Sequence, residues 1–179
     1  MFEQAPTSEM HRTAERLCGL VAGLDLGSVV PGTAKDLVAL GERIERCGRT
    51  LKTMAAAKVA ASPAWQGEGD RTAEDWLART TGSSKKDAES TVETGKRLER
   101  LPATADAARR GELSAKQAEA IAGAASADPA AEARLLDAAK AKSRIMQRIL
   151  VNDAEIRHLA EPWLQDLDDT LAGRRQVLH

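Results

Sequence analysis

Two glycines that each stand shortly before a helix-starting serine constrain the fold of this chain most strongly. Gly82 is followed by Ser83-Ser84, and Gly111 by Glu112-Leu113-Ser114. A glycine just past a helix ends it, because glycine adopts the left-handed backbone conformation without steric cost. A serine then caps the next helix by accepting a hydrogen bond from a nearby backbone N–H. The stretch from 71 to 125 is therefore predicted to form short helices joined by tight turns.

Three capping patterns predict where these short helices begin. Each has a Ser or Thr followed three residues later by an acidic residue or Gln, as in Thr72 with Asp75, Ser84 with Asp87, and Ser114 with Gln117. Leu101-Pro102 stops the helix before it, because a residue that precedes proline avoids the helical conformation. The short helices are therefore predicted to form two helix–turn–helix-like units in tandem. These units are the feature of the sequence that suggests a biochemical role.

Two longer amphipathic helices are predicted before this stretch. Apolar residues on the first follow 4-3-4-3 spacing, and those on the second, from about 33 to 61, keep to one face. We expect the two helices to pack as an antiparallel pair, since a helix of this length needs a partner along most of it. The stripe residues are Met10, Ala14, Leu17, Val21 and Leu24 on the first, and Leu37, Leu40, Ile44, Cys47, Leu51, Met54 and Val59 on the second.

Composition agrees with an all-α fold. The 179 residues include no Tyr and one Phe, so the aromatic residues that favour strands are scarce. We predict a helical hairpin over 1–62, a compact helical cluster with the tandem units over 63–142, and a helical extension over 143–179. Cys18 and Cys47 lie far apart in sequence and are interpreted as reduced, buried thiols, with a disulfide between packed helices as the alternative.

Several classes of function are disfavoured by what the sequence lacks. It shows no nucleophile motif, no phosphate-binding loop and no Cys–His arrangement, so we predict no enzyme, no cofactor and no small-molecule substrate. A metal site needs more ligands than His158, Glu155 and Glu161 supply, so no metal is predicted. No apolar run is long enough to span a membrane, and the N-terminus does not resemble a signal peptide, which predicts a cytoplasmic protein.

The tandem units supply the candidate DNA-binding residues. In a helix–turn–helix protein the first residues of the second helix enter the major groove, which selects Ser84, Lys85 and Lys86 in the first unit. The second unit is similar to the recognition element of ParB-type partition proteins. That resemblance implies that Ser114, Lys116 and Gln117 face DNA and that Arg109 and Arg110 contact phosphates.

The sequence from Leu24 to Ser143 resembles the 13E12-repeat family of actinobacterial and actinophage proteins, also called the domain of unknown function 222. The likeness rests on Trp76-Leu77-Ala78, Leu101-Pro102-Ala103-Thr104 and Gly111-Glu112-Leu113-Ser114, in this order. Many members of that family continue into an HNH endonuclease domain. The histidines and cysteines here do not supply one, so the resemblance implies only the helical module that accompanies such nucleases.

Charge weakens the DNA interpretation. From Arg71 to Glu119 there are ten Lys or Arg and nine Asp or Glu, and the whole chain carries a net charge of −1. A surface that neutralises several phosphates is normally more basic. We therefore expect a non-enzymatic helical module that contacts DNA or a partner protein. The alternative is an oligomerisation, protein-binding or inhibitory module without nucleic-acid contact, and the long helix could pair with a second copy to form a homodimer.

Overall fold

A computed structural model of the protein describes residues 4–142, and this part of the chain contains helices and no strand. The all-α prediction is thereby confirmed. The predicted extension over 143–179, with His158, lies outside the described residues. The helices are α1 (Gln4–Ala22), α2 (Pro31–Ala60), α3 (Ala73–Thr81), α4 (Lys85–Leu98), α5 (Pro102–Arg109), α6 (Ala115–Ala127) and α7 (132–142).

The chain divides into two compact units within α2. The first runs to Arg43, and the second starts at Ile44 and contains the C-terminal half of α2 together with α3 to α7. Buried side chains among the described residues belong to the second unit. The three-part division at 62 and 142 stays a prediction.

One part of the core joins α2, α3 and α4. Ala56 of α2, Leu77 of α3, and Ala88 and Val92 of α4 form a buried cluster, and Trp76 packs against it while partly exposed. Both Trp76 and Leu77 therefore face the core. Small residues on α2 and α4 let these two helices approach closely, which large side chains would prevent.

Gly95 marks the closest approach of α2 and α4. A Cβ atom built on Gly95 would lie 2.4 Å from the carbonyl oxygen of Thr53 and 2.7 Å from the Cβ of Ala57. These distances are shorter than van der Waals contact, so any larger residue would push the helices apart. Glycine lowers the intrinsic stability of a helix interior, and here that loss accompanies a close helix crossing.

The rest of the core joins α4, α5, α6 and α7. It consists of two neighbouring apolar clusters, and Leu135 packs against both. Side chains of α2 also bond the end of α5, because Thr50 Oγ1 donates to the carbonyl oxygen of Ala108 at 3.1 Å. The cluster residues are Leu98, Leu101, Ala105, Ala122 and Ala125 in one, and Ala107, Ala108, Leu113, Ile121 and Leu136 in the other.

The N-terminus of α5 is capped by a residue distant in sequence. Leu101 stands at the N-cap position and its side chain makes no cap hydrogen bond. Glu132 Oε1 instead accepts hydrogen bonds from the backbone N–H of Thr104 at 2.7 Å and from its hydroxyl at 2.8 Å. The carboxylate thus bonds an N–H that would otherwise be unsatisfied at the start of the helix, where negative charge is also favoured by the helix dipole.

The first unit contains no buried side chain between residues 7 and 43. The antiparallel packing of the first two helices is therefore not confirmed. Cys18 is exposed and Cys47 is half-buried, and both are free thiols. The prediction of a buried Cys18 was wrong, because the apolar stripe beside it forms no core within this unit.

Candidate functional site

The first helix–turn–helix-like unit has the turn that its sequence predicted. Gly82 lies in the left-handed region with φ 67°, and the N–H of Ser83 donates to the carbonyl of Ala78 at 3.2 Å. This bond from two residues past the helix satisfies a carbonyl that the helix leaves free. Ser84 then caps α4 by accepting the N–H of Asp87 at 3.1 Å.

The second unit repeats this arrangement. Gly111 has φ 71°, and the N–H of Glu112 donates to the carbonyl of Ala107 at 3.1 Å. Ser114 accepts the N–H of Gln117 at 3.2 Å, while the Gln117 side chain accepts the N–H of Ser114 at 2.9 Å. This reciprocal pair is a complete capping box, so both predicted units are present as local structure.

The second helices of the two units, α4 and α6, run in the same direction side by side. Ser90 Oγ donates to Glu119 Oε1 at 2.5 Å, and further along both helices Leu98 shares a buried cluster with Ala122 and Ala125. Contacting residue numbers increase together along the two helices, which is parallel packing. The N-termini that carry Ser84 and Ser114 therefore lie at one end of the helix pair.

Two of the predicted DNA-binding cations are held in ion pairs. Lys85 Nζ lies 2.9 Å from Asp75 Oδ1, and this hydrogen bond lowers the pKa of Asp75 and raises that of Lys85. Arg110 donates to Glu112 at 2.6 Å and also to Asp106, which raises the Arg110 pKa. These partners already compensate much of the charge that a phosphate would meet.

The other predicted residues fall into two groups. Lys86, Arg109 and Lys116 are exposed and form no ion pair with residues 4–142. The side chains of the remaining residues, Ser84, Ser114 and Gln117, are used in helix caps. Of the lysines at the start of α4 and α6, Lys86 and Lys116 are thus better placed to meet a ligand than Lys85, which is in an ion pair.

A basic cleft at the other end of α4 was not predicted from the sequence. It has a volume of about 300 Å³ and is lined by Glu93, Lys96, Arg97, Arg100, Leu101, Ala125, Ser126 and Pro129. Three cations within five residues at the end of a predicted helix are a sequence signal for it. That signal did not identify the opposite wall, because α6 is brought there only by tertiary packing.

Most of the large apolar residues in the predicted stripes of the first two helices are exposed. Val21 is 65% exposed and Leu40 52% exposed, although both belong to predicted helical stripes. Leu51, on the same stripe in the second unit, is 51% exposed. We call the stripe residues Met10, Leu17, Val21, Leu24, Leu37, Leu40, Ile44 and Leu51 the apolar stripe.

Within residues 4–142, no group of three or more His, Cys, Asp or Glu side chains could hold a metal ion. No helix in this part is both long enough and apolar enough to cross a membrane. Comparison with known proteins found no matching family model, no matching curated protein and no matching solved structure. The resemblance to the 13E12-repeat family therefore stays a prediction.

Proposed function

We propose that this protein is a non-enzymatic helical module that associates with a second copy of itself through the apolar stripe. The observation that carries the proposal is the exposure of Val21, Leu40 and Leu51, of which the first two lie in a region with no buried side chain from residue 7 to 43. Exposed large apolar side chains that recur along a helix are candidates for an interaction site.

Physical chemistry requires a partner for these helices. A helix gains most of its stability in water from packing an apolar face, and propensity alone leaves it marginal. α1 has 19 residues and α2 has 30, yet their large apolar side chains stay in contact with water. Burying a Leu or Val side chain contributes roughly 1.5–3 kcal/mol, so a partner helix along the stripe would stabilise both elements.

The side of α2 that packs against α4 is not the side that bears Leu51. Thr53 and Ala57 contact α4 at Gly95, whereas Leu51 is two residues from Thr53. Residues two apart on an α-helix point to nearly opposite sides. Leu51 is therefore left for a different partner.

Two features favour a second copy as that partner. Alternating three- and four-residue spacing on both helices is the pattern that pairs helices into coiled coils, and a twofold dimer brings the same surface of each copy together. Residues 7–43 also contain four Lys or Arg and five Asp or Glu. Two copies of so nearly neutral a segment repel each other little.

Sedimentation velocity of the full chain at micromolar concentration tests this proposal. We expect a dimer, and we expect Leu40→Glu to convert it to a monomer, because a charge at the centre of the stripe would be buried without a partner. Val38→Glu is the matched control, since Val38 is 73% exposed and lies off the stripe. A monomeric wild type, or equal loss of dimer in both variants, would contradict the proposal.

DNA contact at the shared N-terminal end of α4 and α6 is a second candidate function. It is supported by the parallel packing of these helices, which places Lys86 and Lys116 at one end without ion pairs to the described residues. The ion pairs of Lys85 and Arg110 and the use of Gln117 in a cap weigh against it. If the chain binds DNA, we also expect it to associate with a nuclease and to be cytoplasmic, as predicted from the sequence.

A fluorescence anisotropy titration with duplex DNA at two salt concentrations tests the DNA candidate. Salt-sensitive binding that is lost in the double variant Lys86→Glu, Lys116→Glu would support it. The same helical circular dichroism in the variant would show that folding is intact. Absence of binding by the wild type at low salt would reject this function and leave the dimer proposal untouched.

A further inference from the structure

The cleft between the C-terminal ends of α4 and α6 combines three cations with an apolar wall. Lys96 comes from α4 and Arg100 from the turn that follows it, and both are exposed, while Arg97 is half-buried. Leu101 and Ala125 supply apolar surface, and Ser126 lies beside them. A volume of about 300 Å³ reaches the lower limit of the pockets that hold small organic ligands.

Charge in this cleft is poorly compensated by the described residues. Glu93 is the one acidic residue in its lining, and its carboxylate accepts a hydrogen bond from Arg97 Nε at 3.0 Å. Lys96 and Arg100 form no ion pair with residues 4–142. Lys96 and Arg97 are adjacent in the last turn of α4, and Arg100 follows two residues after the helix ends, so the three cations are close together in the chain and repel each other.

The position of Arg97 is determined by the opposite wall. Its Nη1 atom would lie 3.5 Å from a Cβ built on Gly123 of α6, so the guanidinium group lies against α6 at that residue. Held by Glu93 on one side and by α6 on the other, Arg97 is oriented before any ligand arrives. Such preorganisation lowers the entropy that binding costs.

We propose that this cleft binds a phosphate-bearing anion. Arginine donates paired hydrogen bonds to phosphate oxygens in a planar geometry, and lysine adds a mobile positive charge. The apolar wall formed by Leu101, Ala125 and Pro129 would contact the rest of the ligand. This site lies at the end of α4 opposite to Lys85 and Lys86, and it does not depend on the dimer proposed above.

Helix stability provides the competing explanation. Cations near the C-terminus of a helix interact favourably with its dipole, and Lys96 and Arg97 stand in the last turn of α4. The two explanations predict opposite effects of neutralising Arg100 in buffer without a binding anion. Loss of a dipole-stabilising charge would lower the urea midpoint, whereas relief of repulsion in an empty anion site would leave it unchanged or raise it.

Urea unfolding of the full chain, with and without inorganic pyrophosphate at matched ionic strength, tests the proposal. We expect pyrophosphate to raise the wild-type midpoint with saturation, because a ligand that binds only the folded state stabilises it. Arg100→Gln should weaken pyrophosphate binding about tenfold, as loss of one charge-assisted hydrogen bond would. Lys52→Gln, at an exposed position of α2 outside the cleft, is the matched control and should keep full pyrophosphate binding.

A second arm separates the sources of the phosphate group. If a short single-stranded oligonucleotide competes with pyrophosphate for the wild type and not for Arg100→Gln, the phosphate belongs to a nucleic acid. If it does not compete, the site is specific for a small phosphate compound. A midpoint that follows ionic strength alone, or a lower Arg100→Gln midpoint in anion-free buffer with unchanged pyrophosphate binding, would overturn the proposal.

Discussion

Gly95 shows how one residue can determine the distance between two helices. Its Cα faces the carbonyl oxygen of Thr53, and a Cβ atom there would come within 2.4 Å of that oxygen. Gly48, in the interior of α2, has open space where its side chain would be. The same residue type is therefore required at one position and replaceable at the other.

We predict opposite effects of alanine at these two glycines. Gly95→Ala should lower the free energy of unfolding by about 1–3 kcal/mol, because the helices must separate to admit the methyl group. Gly48→Ala should raise it by about 0.5–1 kcal/mol, since alanine restricts the unfolded chain and favours the helix. Urea denaturation followed by circular dichroism measures both. A stabilising Gly95→Ala would show that α2 and α4 do not cross at this distance.

The bond between Glu132 and Thr104 gives a second prediction at the residue scale. Thr104 is fully buried, so Glu132→Ala would leave its N–H and hydroxyl without an acceptor. We expect a loss of about 2–3 kcal/mol in unfolding free energy. Glu132→Gln keeps an acceptor oxygen and should recover much of this loss. Equal destabilisation by Ala and Gln would show that charge, and not the hydrogen bonds, stabilises the start of α5.

Residue-scale predictions from sequence succeeded where the interacting atoms are close in the chain. Ser84 and Ser114 bond N–H groups three residues away, so their roles could be inferred from spacing alone. The contact of Gly95 with Thr53 could not be inferred in this way, because Thr53 lies on a different helix. The acceptor for Thr104 was missed because Glu132 is 28 residues away.

At the scale of elements, the turn between α5 and α6 is tied to α7 by charge. Glu112 in this turn accepts from Arg110 at 2.6 Å and from Lys140 of α7 at 2.9 Å. These hydrogen bonds lower the Glu112 pKa from its ordinary 4.5 to about 2. The ionised carboxylate is thereby favoured in the folded protein over the unfolded one.

This pKa shift predicts a pH dependence with a definite sign. A carboxyl group whose pKa is lower in the folded state contributes stability above pH 4.5, and the contribution disappears as the pH falls to about 2. Glu112→Gln should therefore lower the urea midpoint slightly at neutral pH, since the group is exposed, and the difference from wild type should vanish towards pH 2. A difference that is independent of pH would contradict the role of the charge.

The face of α2 that packs against α4 is not the face that its sequence pattern predicted. The large apolar residues, Leu51 among them, were expected to be its packing side, whereas Thr53, Ala56 and Ala57 make the close contacts. Small residues allow backbones to approach, and only the presence of Gly95 on α4 makes that approach possible. A hydrophobic pattern identified the amphipathic helix correctly, yet it could not identify which side packs against which neighbour.

At the scale of the molecule, the two units should differ in backbone protection. Residues 7–43 bury no side chain, so amides of α1 depend on the proposed dimer for protection. We predict that hydrogen exchange of the full chain slows in α1 as protein concentration rises, while α4 and α6 are protected at every concentration. Leu40→Glu should make exchange in α1 fast and independent of concentration. Slow exchange of α1 in a dilute wild type would show that this unit is stable without a partner.

The all-α class and the ends of the short helices can be predicted from the order of the amino acids. Those features depend on hydrogen bonds between residues a few positions apart, and two left-handed glycines and three capping side chains specify them. The same reasoning identifies eight candidate DNA-binding residues, five cations and three capping residues, without showing which of the cations are in ion pairs. The folded structure is needed to show that Lys85 and Arg110 are in ion pairs, that α4 and α6 are parallel, and that Lys96, Arg97 and Arg100 line one cleft. Each of these depends on contacts between helices distant in the chain, whose geometry no local pattern encodes.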